Sequence, residues 1–531
     1  MEMDAENYDA EDVGRARQRL VSDILRIQAR RSPDTVALVY EGVEDTYVDL
    51  ERLVNRFANK LIALGIAPGD RVAVFSRNCR AFVIARFGII HAGAVFMPIN
   101  FMLNPAEVGF ILDHARPVAI VAEDALCALA DEAMAALAVP PRIKAYIDHT
   151  GTPAPAGWTN VEEWLDSPEE TQPAILRGED DPVQLMYTSG TESHPKGALL
   201  SSRNLFAQYV SCIVDGQMAA DDIELHCLPL YHCAQLDCFL SVDFYLGAKS
   251  ILLRAPDVGA MLEAIESQRV TKLFCPPTVW IALLRHPDFE KRDLTCLRKG
   301  YYGASVMPAA IVEELVRRLP GMRLWNFYGQ TEMAPVATVL QPEDQLRKLG
   351  SAGKPAINVE TRVVGEDERP VAVGEVGEIV HRGPHVMLGY YRDPGKTGEA
   401  FRGGWFHSGD LGRFDEDGYL YVVDRKKDMI KSGGENVASR DVEEVLFKHP
   451  DILEAAVFGV PDAKWIEAVT AVIVPRPGAA IDPAEVQAHC RAHLAGFKCP
   501  KHIHVTESLP KNASGKVLKR ELRSLYVGEG G

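Results

Sequence analysis

The run Tyr187-Thr188-Ser189-Gly190-Thr191-Glu192-Ser193-His194-Pro195-Lys196-Gly197 follows an apolar strand, Val183 to Thr188, and precedes a helix expected from Ser202. A strand that ends in hydroxyls and glycines offers backbone N–H groups and side-chain OH donors to phosphate oxygens. Lys196 adds a point charge that can follow those phosphates. The loop is not a Walker A motif, because Lys196 is followed by Gly197 rather than by Ser or Thr. A polar surface turn has the same composition, so the surroundings decide between the two.

Upstream, helical and strand-like segments alternate. Leu50 to Leu64 has helical apolar spacing, and the Pro68-Gly69-Asp70 turn leads into a strand at Arg71 to Phe75. Ala81 to Gly93 reads as a helix and Val118 to Ala122 as a strand. Such alternation is the pattern of parallel sheets covered by helices. Downstream, Gly350 to Tyr391 holds short strands with Gly374, Gly377, Gly383 and Gly389, the texture of a small β-barrel subdomain. Near Asp424 the chain leaves the strand Tyr419 to Val423 and passes through Arg425-Lys426-Lys427-Asp428. A compact unit follows: helix Ser439 to Lys448, strands Ala455 to Val460 and Ala468 to Val474, and helix Pro483 to Leu494. The expected fold is α/β, with helix-covered β-sheets and the barrel-like unit in a large N-terminal domain, residues 1–424. A small C-terminal α/β domain, residues 425–531, completes it.

Composition agrees with several domains. The chain has 531 residues, 47% apolar and 25% charged, an ordinary globular balance. Its formal charge of -17 repels polyphosphate backbones, so nucleic acid is not expected as a partner. Met1 to Asp12 is acidic, with no basic segment leading an apolar run, so no signal peptide is expected. The apolar run Phe82 to Phe96 is interrupted by Arg86 and His91 and is too short to span a membrane. His226, Cys227, His232, Cys233 and Cys238 cluster locally without a CxxC pair, which reads as buried thiols rather than a zinc site. The expectation is a cytoplasmic enzyme in a reducing compartment.

Three further segments crowd polar groups together. Asn326-Phe327-Tyr328-Gly329-Gln330-Thr331-Glu332 combines an aromatic ring, a glycine for close approach, a hydroxyl and a carboxylate. That set can stack a base, bind a phosphate and hold Mg²⁺ through one carboxylate and waters. In Gly404-Trp405-Phe406-His407-Ser408-Gly409-Asp410-Leu411-Gly412, Asp410 suits a ribose diol, and Arg425 could approach the same sugar. An Asx turn and a surface ion pair are the plain structural readings of these two. Pro510-Lys511-Asn512-Ala513-Ser514-Gly515-Lys516-Val517 sets a lysine in a loop whose importance depends on closure of the small domain over the large one.

In this order, from about Ile27 to Leu522, the segments resemble the adenylate-forming superfamily of acyl-CoA synthetases, peptide-synthetase adenylation domains and firefly-type luciferases. Within it the likeness is strongest to fatty or aryl acyl-CoA ligases. The resemblance implies ATP, Mg²⁺ and coenzyme A, and a carboxylic acid activated as acyl-AMP with loss of pyrophosphate before transfer to the thiol. It assigns Thr188, Ser189, Gly190, Thr191 and Lys196 to the phosphate loop, and Tyr328, Gly329, Gln330 and Thr331, with Asn326 before them, to adenine and the α-phosphate. Glu332 falls to Mg²⁺, Asp410 and Arg425 to the ribose, and Gly303, Ala304 and Ser305 to the strand end beside the adenine and the acyl carbonyl.

Lys516, His232, Thr191 and Glu332 form the implied catalytic set, a core histidine being the alternative for His232. Lys516 has an electrostatic reason: a carboxylate must approach an anionic phosphate, and a lysine between them offsets the repulsion. The small domain is implied to be mobile about a hinge at Asp424. Its motion brings Lys431, Ser432, Gly433, Gly434 and Glu435 to an acceptor channel. His232, Cys233, Leu236, Trp280, Gly303, Ala304, Met333 and Ala334 are the candidate walls of the acyl pocket, with Trp280 either shortening a tunnel or belonging to the core.

The sequence departs from the family pattern at Glu192 in the phosphate loop and at Val437-Ala438-Ser439-Arg440 before the small domain's first helix. Both departures leave the acceptor open between coenzyme A and a free amine. A binding protein without turnover is disfavoured by the presence of Lys516, Glu332 and Asp410.

Overall fold

The protein is described from a computed structural model, at residues 10–188, 195–305, 307–433, 435–462, 464–511 and 517–526. Its helices start where the sequence supplies caps. Thr46 and Asp49 form a capping box that opens Tyr47–Ala63, and Ser201 and Asn204 form another that opens Ser202–Gly216. Arg80–His91 is of another kind. Every residue from Ala81 to His91 is buried, as befits a helix that is apolar on all sides.

Two large sheets share one core with that helix. The eight-stranded sheet has at its centre Lys196–Ser201, Pro182–Thr188, Val95–Pro98, Arg71–Phe75 and Ala119–Glu123 in spatial order. The nine-stranded sheet carries Val336–Leu340, Arg323–Gly329, Lys299–Gly303, Lys272–Phe274 and Ile223–His226 side by side. Alternation along each strand separates the cores. Val72 and Val74 face the shared core while Ala73 and Phe75 face a second one, and Tyr301 faces the shared core while Tyr302 faces a third.

The small β unit is a four-stranded antiparallel sheet of Glu360–Val364, Gly377–Arg382, Phe406–Phe414 and Leu420–Arg425, so it reaches well past Tyr391. Beyond it stands a five-stranded sheet built on Ile452–Asp462 and Ile466–Pro475. Ser439–Phe447 and Pro483–His493 cover one face of this sheet, and Leu522 of Lys519–Tyr526 packs on the other. No helix among the described residues is long and apolar enough to cross a membrane.

Burial of three histidines sets a pH dependence. His91, His381 and His385 are at most 2% exposed, and burial pushes them down to about 4, 3 and 4. Each stays neutral in the fold, while the unfolded chain binds a proton near pH 6.5. Their stabilising contribution is therefore complete above that pH and is lost as pH falls toward 4. We expect the free energy of urea unfolding to drop by about 2 kcal/mol or more between pH 7 and pH 5. An unchanged value would show that these rings are not held neutral.

Candidate active site

The strands on either side of the expected phosphate loop pair with each other. Pro182–Thr188 pairs antiparallel with Lys196–Ser201, and Thr188 Oγ1 donates to the Lys196 carbonyl at 3.3 Å. Ser189, Gly190, Thr191 and Glu192 lie outside the described residues. Lys196 Nζ stands 5.4 Å from the centre of the Tyr390 ring, and the Tyr390 hydroxyl donates to Glu332 Oε1 at 2.9 Å. The loop lysine and the expected Mg²⁺ carboxylate are thus joined through one phenol. Glu332 is 8% exposed, and a hard carboxylate oxygen beside a phosphate loop fits a cation that takes one or two carboxylates and keeps its waters. Sequence reasoning missed Tyr390. Its signal was the aromatic pair Tyr390-Tyr391 after Gly389, in a run read only for its glycines.

Two glycines let backbones meet where the nucleotide segment turns. A Cβ on Gly329 would sit 1.8 Å from the Pro335 carbonyl oxygen, and one on Gly303 would sit 2.4 Å from that of Phe327. Ala304 and Ser305 follow, both exposed, with Ala304 at φ 64°. Tyr328 OH donates to Asp410 Oδ2 at 2.7 Å, and Arg425 Nε lies 3.1 Å from Asp410 Oδ1. Asp410 and Arg425 face each other directly in the ladder of the small β unit. Burial, reinforced by the adjacent carboxylate, holds the Tyr328 phenol well above its usual range. A carboxylate has about four acceptor positions, so Asp410 keeps capacity for a diol after these two contacts. The Asn326 amide donates one hydrogen bond to the Ser351 carbonyl at 3.0 Å. Gln330 Nε2 is buried with no partner among the described residues.

The acyl-side residues are mostly enclosed. His232 caps the short helix Cys233–Gln235, its Nδ1 accepting from the Ala234 N–H at 3.3 Å. Cys233 Sγ lies 3.3 Å from Thr331 Oγ1, and burial pushes the thiol up to about 12, which leaves it unreactive. Leu236, Met333 and Ala334 are fully buried. Trp280 belongs to the third core, with its indole N–H on the Tyr301 carbonyl at 3.0 Å.

The expected buried thiols are present: all ten cysteines are free and buried. Glu224, His226 and Asp243 bring ligand-type atoms within 4.8 Å of one another. Lys272, fully buried, occupies that cluster, 2.8 Å from Glu224 and in direct contact with Asp243, so the cluster holds its own cation.

At the edge of the smaller unit, Asp424 accepts from the Ser439 N–H at 2.6 Å and from the Arg425 N–H at 2.7 Å. Lys431 and Glu435 are exposed on a tight hairpin, whereas Ser432 between them is fully buried. Gly433 has φ 63° and donates to the Trp465 carbonyl at 2.7 Å. Gly434 and Lys516 lie outside the described residues.

The sequence model of the AMP-binding enzyme matches residues 25–391, and that of the AMP-binding enzyme C-terminal domain matches residues 441–516. A feruloyl-CoA synthase of Amycolatopsis sp is 40% identical over 509 residues, 94% of this chain and 97% of that protein. An indoleacetate–CoA ligase of Aromatoleum aromaticum is 34% identical over 516 residues, 96% of this chain and 98% of its own. Among solved structures, o-succinylbenzoate–CoA synthetase of Bacillus subtilis, in complex with its acyl-adenylate intermediate, superposes with a TM-score of 0.83 at 29% identity. That alignment covers 94% of this chain and 98% of the other.

Removing the Asp410 carboxylate tests the nucleotide side of this geometry. Asp410→Ala should weaken ATP binding by about 1–3 kcal/mol, read by calorimetry on the folded variant. Unaltered ATP affinity would detach Asp410 from the nucleotide.

Proposed function

We infer that this chain, which belongs to the AMP-binding enzyme family, is an AMP-forming acid–thiol ligase. It activates a carboxylic acid with ATP, releases pyrophosphate, and passes the acyl group from acyl-AMP to coenzyme A. The observation that carries the nucleotide side is the convergence of Tyr328 and Arg425 on the buried carboxylate of Asp410.

The residues divide the work. Tyr328 offers its ring to adenine while Asp410 and Arg425 take the ribose. Thr188, Lys196 and the loop residues through Thr191 hold the phosphates. Glu332, oriented by Tyr390, would hold Mg²⁺, and the ion would supply charge neutralisation at the pyrophosphate. An oxygen of the acid's carboxylate attacks the α-phosphorus, the bond to the β-phosphate oxygen breaks, and pyrophosphate leaves. Lys516 bridges the two approaching anions and offsets their repulsion. In the second step the thiol sulfur attacks the acyl carbonyl, AMP leaves with the bonding pair, and the thiol proton goes to solvent. Rotation about Asp424 removes Lys516 and admits the thiol past Lys431 to Glu435.

The acid is an aryl acid or an aryl-substituted short-chain acid. Behind Gly303 stands the Phe274 ring, 3.7 Å from where a Cβ would be, stacked on Phe239 at 4.4 Å between ring centres. Leu236, Met333 and Ala334 are buried in the same core as these rings, an apolar aromatic surrounding that favours a flat ring. The feruloyl and indoleacetate substrates of the two relatives agree with it.

Two measurements test the reading. With coenzyme A and a panel of acids, aryl-propenoic and arylacetic acids should give thioester at least about tenfold faster, by kcat/KM, than palmitate. A preference for palmitate would overturn the substrate class, and amides formed only with added amines would overturn the acceptor. Lys516→Ala should abolish acid-dependent pyrophosphate release while largely sparing thioester formation from supplied acyl-AMP. Full adenylation in that variant would remove Lys516 from the first step.

A further inference from the structure

The helix Arg80–His91 carries a charge where it has no water. Arg86 is 0% exposed, as is its partner Asp237, and the Arg86 Nη2 to Asp237 Oδ1 distance is 2.8 Å. Gln184 closes the pair into a ring. Its Oε1 accepts from Arg86 Nη2 at 3.2 Å and its Nε2 donates to Asp237 Oδ2 at 2.7 Å. Arg86 Nε and Nη1 have no hydrogen-bond partner among the described residues. The rings of Phe87 and Phe96 lie 4.9 and 5.8 Å from the guanidinium carbon. The described hydrogen bonds of this cation go to Asp237 and Gln184, with the buried Tyr209 phenol close beside it.

Arg86 stands on the core helix, and its two partners lie on elements that lead to the candidate active site. Gln184 is four residues before Thr188 on the strand that feeds the phosphate loop. Asp237 lies in the π-helical turn Leu236–Leu240, directly after the acyl-wall residue Leu236. That turn is held open by the Ser241 hydroxyl and N–H, both donating to the Leu236 carbonyl. π turns concentrate at functional sites because the extra residue re-aims the side chains around it. A third tie runs through Gln208, in the amide orientation that satisfies both its ends. Its nitrogen donates to the Asp237 carbonyl at 3.2 Å and to the Ala334 carbonyl at 3.1 Å. Ala334 closes the turn that bears Thr331 and Glu332.

We propose that Arg86, Asp237 and Gln184, with Gln208, form a buried positioning network that sets the spacing between the phosphate strand, the acyl wall and the Thr331–Glu332 turn for adenylation. The proposal rests on the acid–thiol ligase reading. Stability gives a poor reason for such an arrangement, since a buried ion pair can often be replaced by apolar residues at no net cost. Geometry gives a better one. An in-line attack of a carboxylate on the α-phosphorus depends on how far the acyl wall stands from the phosphate loop, and a displacement of about 1 Å can cost about a hundredfold in rate. None of the four side chains need touch substrate; they act through Thr188, Leu236 and Glu332.

The test separates position from stability. The double variant Arg86→Met/Asp237→Leu keeps apolar volume and removes both charges together, so no charge is left unpaired. Its melting temperature is compared with wild type, and acid-dependent pyrophosphate release is measured on the folded protein. The proposal expects kcat to fall by about 10- to 100-fold, with KM for ATP within about threefold of wild type, because Tyr328, Asp410 and Arg425 are untouched. Unchanged kcat in a folded double variant would overturn it. Should the double variant not fold, Gln184→Leu, which leaves the ion pair in place, carries the same test: at least about a threefold loss of kcat is expected, and none overturns the proposal. Absence of pyrophosphate release in the wild-type enzyme would instead refute the ligase reading.

Discussion

Asp410 sits between a phenol and a guanidinium that come from two different sheets. Tyr328 belongs to the nine-stranded sheet, while Arg425 closes the last strand before the smaller unit. A carboxylate with 6% exposure is costly unless it is paired and hydrogen-bonded, so the two sheets must stay at the distance these contacts require. The next residue back, Asp424, accepts from the first helical N–H of Ser439–Phe447 and so satisfies one of that helix's orphan donors. The proposed ribose-binding Arg425 and the proposed hinge Asp424 are therefore consecutive residues of one strand. A rotation at the proposed hinge would leave the Tyr328–Asp410 contact on the side before it.

The chemistry sets a second constraint. The chain carries -17 formal charges, yet its reaction joins two anions. The protein meets this locally. Lys196 stands over Tyr390, which in turn orients Glu332, so a loop cation and a metal-type carboxylate are arranged around one ring. In the interior, Lys272 pairs with Asp243 and with Glu224, whose carboxyl burial holds well above its usual range, and Arg86 pairs with Asp237.

Local chemistry made much of this legible from the sequence. The strand Arg71–Phe75 follows from the Pro68-Gly69-Asp70 turn, which acts within a few residues, and the helix expected from Ser202 begins there on a capping box. Gly329 was expected to allow a close backbone approach, and the Pro335 carbonyl is what it approaches. Long-range pairing was not legible. Arg86 read only as an interruption in an apolar run, because its partners Gln184 and Asp237 lie about a hundred and about a hundred and fifty residues away. Tyr390 was hidden for the same reason, since its role depends on Glu332 and Lys196 reaching it through two other elements.

The central claim is that a mixed anhydride with AMP stands between acid and thioester. It is tested most directly with an aryl acid labelled in both carboxylate oxygens with ¹⁸O, turned over with ATP, Mg²⁺ and coenzyme A, and analysed by mass spectrometry. The account predicts one labelled oxygen in AMP, unlabelled pyrophosphate, and one labelled oxygen kept in the thioester carbonyl. Label in orthophosphate with formation of ADP would contradict it, because the acid would then have been activated on the γ-phosphate.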